Sequence, residues 1–491
     1  MDNIFISKVN EAYVKINCSD EGIYHELSEY FTFFVPGYQF TPQYRAKLWD
    51  GKIRLFNKQN QQMYYGLISH INKFAKERNY TITYDDEILA TTSFSIEEAK
   101  DFIKTLNLPF EPRDYQMDGF VHAIRNKRNL IVSPTASGKS LISYLLCRFL
   151  YNNGRILILV PTTSLVEQLY SDFNDYSRNN GFSVDQNVHR IYAGHEKTSN
   201  KAITISTWQS LYTLPKQYFE QYDYVIGDEC HLFKAKSLIT IMTNLINAKI
   251  RIGMTGTLDG TKTHKLVLEG LFGSVRKVIS TKELIDRKQL ADFRIKCLIL
   301  KHNKENCYKY KESTYIEEIK YLIDNQARNR FIRNLALSLE ENTLVLFQFV
   351  EDHGKILYEM IKEKDKTNDR KIYFVYGGTE TEDREKIRLL CEQESGVIIV
   401  ASFGVFSTGV NIRNLHNIIF ASPSKSRIRS LQSIGRGLRT NENKTIATLY
   451  DIADDLRIGK KENFTLKHFL ERIKIYNDER FSYKLYNIDL E

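Results

Sequence analysis

Residues 129–146 read NLIVSPTASGKSLISYLL. NLIV is short and apolar, as in a strand covered on both faces. LISYLLCRFLY, which begins at Leu141, has the length and composition of a buried helix. Between them lies SPTASGKS, Ser133 to Ser140, with the spacing of a phosphate-binding loop and Ser133 where the usual pattern has Gly. Such a loop works because backbone N–H groups and a helix N-terminus cradle phosphate oxygens. Lys139 is then expected at the β- and γ-phosphate oxygens, and the Ser140 hydroxyl on Mg²⁺. Gly-Lys-Ser alone is a weak signal, since a helix start with a solvated lysine also produces it. The strand before and the helix after are what argue for a nucleotide site.

Outward from this stretch, apolar runs alternate with longer helical patterns. NLIVSP is joined by RILILVP, AITIST, YDYVIGD and IRIGMTG. The rhythm pauses over residues 280–325, a mixed charged region, and resumes with NTLVLFQF, KIYFVYG, GVIIVAS, NIIFAS and TIATLYDI. Strands buried on both faces and separated by helices predict parallel α/β sheets, here two units in series. Before Arg113 the pattern differs: KVNEAYVKIN, KIRLF and YTITYD alternate as half-buried strands do. Two prolines in LNLPFEP suggest a boundary. The expected organisation is a small α+β domain over 1–106, α/β domains over 107–285 and 286–455, and a short helical extension over 456–491.

Composition narrows the class without deciding it. The 491 residues carry 69 Lys and Arg against 60 Asp and Glu, a net charge of +9, a mild lean towards a polyanionic partner. The six cysteines include no Cys-x-x-Cys, so neither a zinc ribbon nor a redox pair is expected. The chain starts without a secretory leader pattern and has no long uncharged apolar stretch, so a cytoplasmic protein with no membrane span is expected.

Two further motifs carry chemistry. DECH, Asp228 to His231, follows the buried run YVIG. An acidic pair at the end of a parallel strand suits the edge where such sheets bind nucleotides. Asp228 is expected to hold Mg²⁺ through water, and Glu229 to orient and deprotonate the attacking water. His231 has no partner at metal-ligand spacing, so a coupling role is expected. QSIGRGLR, Gln432 to Arg439, lies late in the second α/β unit. Arg436 and Arg439 share a helical face, and a guanidinium at the γ-phosphate stabilises the charge that develops in phosphoryl transfer. The stretch YQFTPQYRAKLWDGKIRLFNK, Tyr38 to Lys58, interleaves aromatic and basic residues. It reads either as a nucleic-acid surface, with Arg45, Lys47, Trp49, Lys52 and Arg54 in contact, or as a solvated face over a core of Phe40, Trp49, Leu55 and Phe56.

The three motif sets in this order resemble the superfamily 2 helicases. The resemblance implies two RecA-like domains with ATP and Mg²⁺ bound between them. It assigns Arg113 and Gln116 of RDYQ to adenine recognition, and Thr135, Ser137, Gly138, Lys139, Ser140 and Gly409 to the nucleotide. It assigns Pro161 and Thr162 of LVPTTSLVEQ, with Thr207 and Gln209 of STWQS, to the nucleic-acid strand. Thr255 and Thr257 of TGT, with His231, would couple hydrolysis to movement, and Gln432 would join the two arginines. FQFVEDHG, YGGTETEDRE and ASFGVFSTGVNIRNL (residues 347–354, 376–385 and 401–415) look like the second domain's motifs. Together with YRAKLWDGKIRLF near the N-terminus, the chain resembles the UvsW-type recombination helicases of T4-like phages. That family implies branched or duplex DNA as partner, with Holliday junctions, stalled forks, displacement loops and RNA–DNA hybrids among its substrates. It also implies a monomer in the host cytoplasm, with single-strand-binding or recombination proteins as further partners. An ATP-gated RNA clamp and the duplex-translocating motor of a nuclease remain as alternatives.

Overall fold

A computed structural model describes residues 3–89, 92–232, 235–258, 260–365, 370–408, 412, 414–422, 435 and 446–490. The chain divides into two compact units near Ile279 and Ser280.

The first unit is built on a seven-stranded sheet. Its order is Val188–Ile191, Ile203–Thr207, Ile156–Val160, Tyr224–Gly227, Ile250–Thr255, Arg128–Val132 and Val275–Lys277. All of its pairings are parallel. Ile156–Val160 and Ile203–Thr207 are buried at every position, because helices cover both faces. The phosphate-loop strand lies beyond Tyr224–Gly227 and Ile250–Thr255 from its successor Ile156–Val160. The chain therefore crosses over, and the C-terminal strand ends around that crossing form a crevice.

The second unit repeats the plan. Its seven parallel strands run in the order Ile372–Val375, Ile398–Ser402, Thr343–Phe347, Asn417–Phe420, Ile446–Asp455, Asp292–Lys301 and Tyr483–Asp489. The ten runs seen in the sequence are strands here. Each sheet has two more. Asp292–Lys301, DFRIKCLILK, lies inside the region that reads as a charged pause. Its charges sit mostly at exposed positions, while Phe293, Ile295, Cys297, Leu298 and Leu300 turn inward. The expected C-terminal helix is present at Phe464–Asp478. It is followed by Tyr483–Asp489, which completes the sheet edge against Asp292–Lys301, so the segment after Asp455 is integral to the second unit.

The N-terminal segment forms a five-stranded mixed sheet, ordered Phe56–Asn57, Gln62–Tyr64, Tyr13–Cys18, Asn3–Lys8 and Thr81–Tyr84, beside the ribbon of Thr32–Phe34 and Lys52–Arg54. It belongs to the first compact unit. Its apolar residues, among them Leu67, Ile71 and Phe74, join one hydrophobic cluster with Leu130, Leu157, Leu271 and Phe272 of the parallel-sheet region. Polar contacts fix the join. Arg128 pairs with Glu11 and lies 4.0 Å over the Tyr65 ring. His70 meets the buried Glu269 carboxylate at 3.0 Å. Gly66 is required there: a Cβ would fall 2.0 Å from the Glu269 carbonyl oxygen. Among the described residues, no helix is long and apolar enough to cross a membrane.

Candidate nucleotide and nucleic-acid site

The strand Arg128–Val132 ends in the loop, which turns back through Ala136 and Gly138 at positive φ (68° and 80°) and starts the helix Lys139–Leu150. Ser137 is buried and donates through Oγ to the Pro134 carbonyl at 2.6 Å, holding the loop closed on itself. Gln116 links the upstream segment to this loop. Its Oε1 accepts from the Arg113 N–H at 2.9 Å, and its Nε2 donates to the Gly138 carbonyl at 3.4 Å. A Cβ on Gly138 would lie 2.3 Å from that Nε2, so glycine is needed for both backbone angle and space. The Arg113 guanidinium donates to the Tyr115 hydroxyl at 2.8 Å. Thr135 sits on the loop, partly buried.

The acidic pair lies at the end of Tyr224–Gly227, two strands from the loop strand in the same sheet. Lys139 Nζ is 3.3 Å from Glu229 Oε1 and donates to the Ser133 carbonyl at 3.3 Å. Asp228 is buried, and that burial together with the Glu229 charge pushes its carboxyl up to about 7. Glu229 is held below the usual range: burial opposes this, but the charges of Lys139 and His231 outweigh it. His231 shares a 2.5 Å hydrogen bond with Thr255 Oγ1. Thr255 Oγ1 also bonds the Thr257 carbonyl at 2.7 Å, and the Thr255 carbonyl accepts from the Ser133 N–H at 2.9 Å. A continuous polar chain therefore joins phosphate loop, acidic box and TGT.

The donor set fits a hydrated magnesium ion shared with phosphates. Mg²⁺ usually keeps its waters and takes one or two protein oxygens; the Ser140 hydroxyl and the Asp228 carboxylate are the groups that would hold it. Among the described residues, no group of three or more His, Cys, Asp and Glu side chains forms a metal cage. Ser140 Oγ is 2.8 Å from the Tyr176 hydroxyl, on the helix Thr163–Ser177. Sequence reasoning missed Tyr176, because no motif spacing leads to it.

The expected strand contacts cluster at two adjacent strand ends, after Ile156–Val160 and at Ile203–Thr207. Gln209 Nε2 donates to the Pro161 carbonyl at 3.0 Å. Thr162 caps the following helix, and the hydroxyls of Thr207 and Ser210 are 2.9 Å apart. Of the N-terminal residues, Arg45, Lys47 and Arg54 are exposed, while Trp49 and Lys52 are half-buried. Leu55 and Phe56 are core, as the plainer reading had it, but Phe40 is 74% exposed. Arg54 is engaged by Asp50.

Gly409, Gln432, Arg436 and Arg439 lie outside the described residues. In the second unit the motif FQFVEDHG contributes a buried network. His353 bonds Ser422 Oγ at 2.9 Å and Asn329 at 3.3 Å, and burial next to Arg328 lowers it to about 3. Arg328 pairs with Asp454 at 2.9 Å and donates to the Ala421 carbonyl at 2.8 Å; His302 reaches Asp454 at 3.0 Å. This network clamps the end of Asn417–Phe420, the strand that precedes QSIGRGLR. Arg328, Asp454 and His302 carry no sequence signal, being distant in sequence and individually ordinary.

Comparison with known proteins places this geometry. Residues 4–85 match the family described as "DNA helicase UvsW, N-terminal", 109–260 match "Type III restriction enzyme, res subunit", and 326–441 match "Helicase conserved C-terminal domain". The chain is 36% identical over 501 residues to the ATP-dependent DNA helicase uvsW of Enterobacteria phage T4, covering 98% of both. It is 24% identical over 386 residues to a DNA 3'-5' translocase of Sulfurisphaera tokodaii, with 72% of this chain and 85% of that one covered. The crystal structure of T4 UvsW matches with a TM-score of 0.52 at 34% identity, over 100% of both chains.

Proposed function

As a member of the UvsW family of ATP-dependent DNA helicases, this chain is, we propose, a motor that remodels branched DNA: four-way junctions, stalled forks, displacement loops and RNA–DNA hybrids. The observation that carries the proposal is the polar chain from Lys139 through Glu229 and His231 to Thr255. It ties the group that senses the γ-phosphate to TGT, at the end of the strand that lies between the acidic-box strand and the phosphate-loop strand.

Lys139 binds the β- and γ-phosphate oxygens; Ser140 and Asp228 would hold the metal, which would neutralise phosphate charge when bound. Glu229, kept ionised by Lys139 and His231, orients the attacking water and takes its proton. As the γ-phosphate draws Lys139 away, Glu229 loses its cation and leans on His231, and the His231–Thr255 bond carries that change to TGT. Arg436 and Arg439 stabilise the transferring phosphoryl group. Gln116 and Arg113 select the base. Pro161, Thr162, Thr207 and Gln209 form a backbone-directed grip without base readout, which suits movement along any sequence.

The match of residues 109–260 to a restriction-enzyme motor favours one second reading, a translocase on intact duplex. ATP-driven unwinding compared over forks, four-way junctions, R-loops, blunt duplex and RNA duplex separates them. Preference for the branched substrates is expected; equal action on blunt duplex without strand exchange would favour the translocase.

A further inference from the structure

The excursion from Val35 to Gly51 presents two large apolar side chains to water. Leu48 is 81% exposed and Phe40 74%. Single apolar residues on a surface are ordinary, but here two share one short segment whose own aromatics offered them cover. The segment is well built. The Val35 N–H donates to the Gly51 carbonyl at 2.9 Å and closes its root. Tyr38 stacks on Phe34 (centroids 4.8 Å, 26°) and meets Tyr44 edge-on (4.7 Å, 87°). Gly51, at φ 78°, lets the Tyr38 ring press on the backbone, since a Cβ would fall 2.2 Å from a ring carbon. Thr41 caps the turn that follows, and the Trp49 indole donates to the Lys52 carbonyl at 2.9 Å. A scaffold this connected holds Phe40 and Leu48 outward in place. The same stretch of sequence carries Arg45, Lys47, Lys52, Arg54 and Lys58, with Asp50 the only acid of residues 41–60.

Exposed apolar side chains on a cation-rich segment fit a phosphate-lined duplex with accessible base faces. Apolar residues such as Phe and Leu act as wedges between base steps while cations hold the backbone. We propose that Phe40 and Leu48 form a pin that inserts into the base stack at a DNA branch point, where the terminal pairs are cheapest to open. The pin rests on the branched-DNA reading above and adds to it a division of labour: the cations grip, and the tip opens.

The test uses the full chain and a fork carrying 2-aminopurine at the branch nucleotide, without ATP. Wild type should raise the fluorescence severalfold as the base unstacks. Phe40→Ala with Leu48→Ala should abolish the rise and weaken fork binding roughly tenfold, the scale of one lost stacking contact. Its binding to blunt duplex and its salt dependence should be unchanged. Phe40→Trp, which keeps an aromatic face, should keep the rise. A rise that survives the double substitution overturns the pin, as does its loss in Phe40→Trp. So does a flattened salt dependence in the double variant, or self-association through this tip with no fluorescence change. Failure of the underlying reading is seen separately, as wild-type chain that binds fork no better than blunt duplex.

Discussion

The acidic box and the Val35–Gly51 excursion hold charge in opposite ways. At the box, charges are buried and each is held by another: Lys139 by Glu229 and the Ser133 carbonyl, Glu229 by His231 and Lys139. On the excursion Arg45 and Lys47 are exposed, and just beyond it Arg54 is engaged by Asp50. Chemistry on a phosphate needs preorganised groups in a low dielectric, where each interaction is strong. Grip on a polymer needs exposed cations that release counterions and let go again. The same residue types therefore predict large all-or-none effects at one site and small graded ones at the other.

Lys139→Ala should abolish DNA-stimulated ATP hydrolysis. It also leaves the half-buried Glu229 without that cation, which costs stability, so thermal unfolding must be measured beside the ATPase. Near-normal turnover in a folded variant would break the contrast at its strongest point. Glu229→Gln should bind a fluorescent ATP analogue as wild type does and turn over about 10²–10⁴-fold more slowly, the usual worth of a general base. Joint loss of binding and turnover would make Glu229 a structural partner of Lys139.

Thr255→Val removes the hydroxyl that His231 bonds while keeping the side-chain volume. Hydrolysis should persist, and strand separation per ATP should fall by about 5–150-fold, the range of typical coupling energies. Measuring phosphate release and unwinding in one reaction decides it. A proportional fall in both would place Thr255 in the chemistry itself.

What could be read in advance follows the same divide. The phosphate loop, DECH and TGT are strand-end segments whose backbone path is set by the sheet, so their spacing alone locates the crevice. The buried strands Ile156–Val160 and Thr343–Phe347 announce themselves as unbroken apolar runs. Asp292–Lys301 does not, because its exposed positions carry Asp292, Arg294 and Lys301, and with the half-buried Lys296 these hide the inward alternation. Tyr176 and the Arg328–Asp454 pair were illegible because their partners are made only by folding. Around Tyr38 to Lys58 both readings were open, since aromatic residues in an irregular segment have no periodicity to assign them a side. The structure divides them, with Leu55 and Phe56 inside and Phe40 outside.

The smallest expected effect lies just beyond the excursion, on the strand Lys52–Arg54. Each phosphate contact on duplex DNA steepens log K against log salt by about 0.9. Lys52 lies 4.9 Å over the Phe34 ring rather than in an ion pair like that of Arg54 with Asp50, so Lys52→Ala should flatten the slope by about 0.9. Arg54 differs: Asp50 already engages its guanidinium, and removing it frees an anion beside the DNA. Adding Arg54→Ala should therefore change affinity at low salt more than it changes the slope, leaving the pair short of about 1.8 in total. ATP hydrolysis without DNA should be untouched, since the phosphate loop and acidic box contain neither residue. Fork binding titrated across salt for wild type, Lys52→Ala and the double variant measures both terms. A slope unchanged by Lys52→Ala in a folded protein would return these cations to a solvated face, and the contrast would then stand on the acidic box alone.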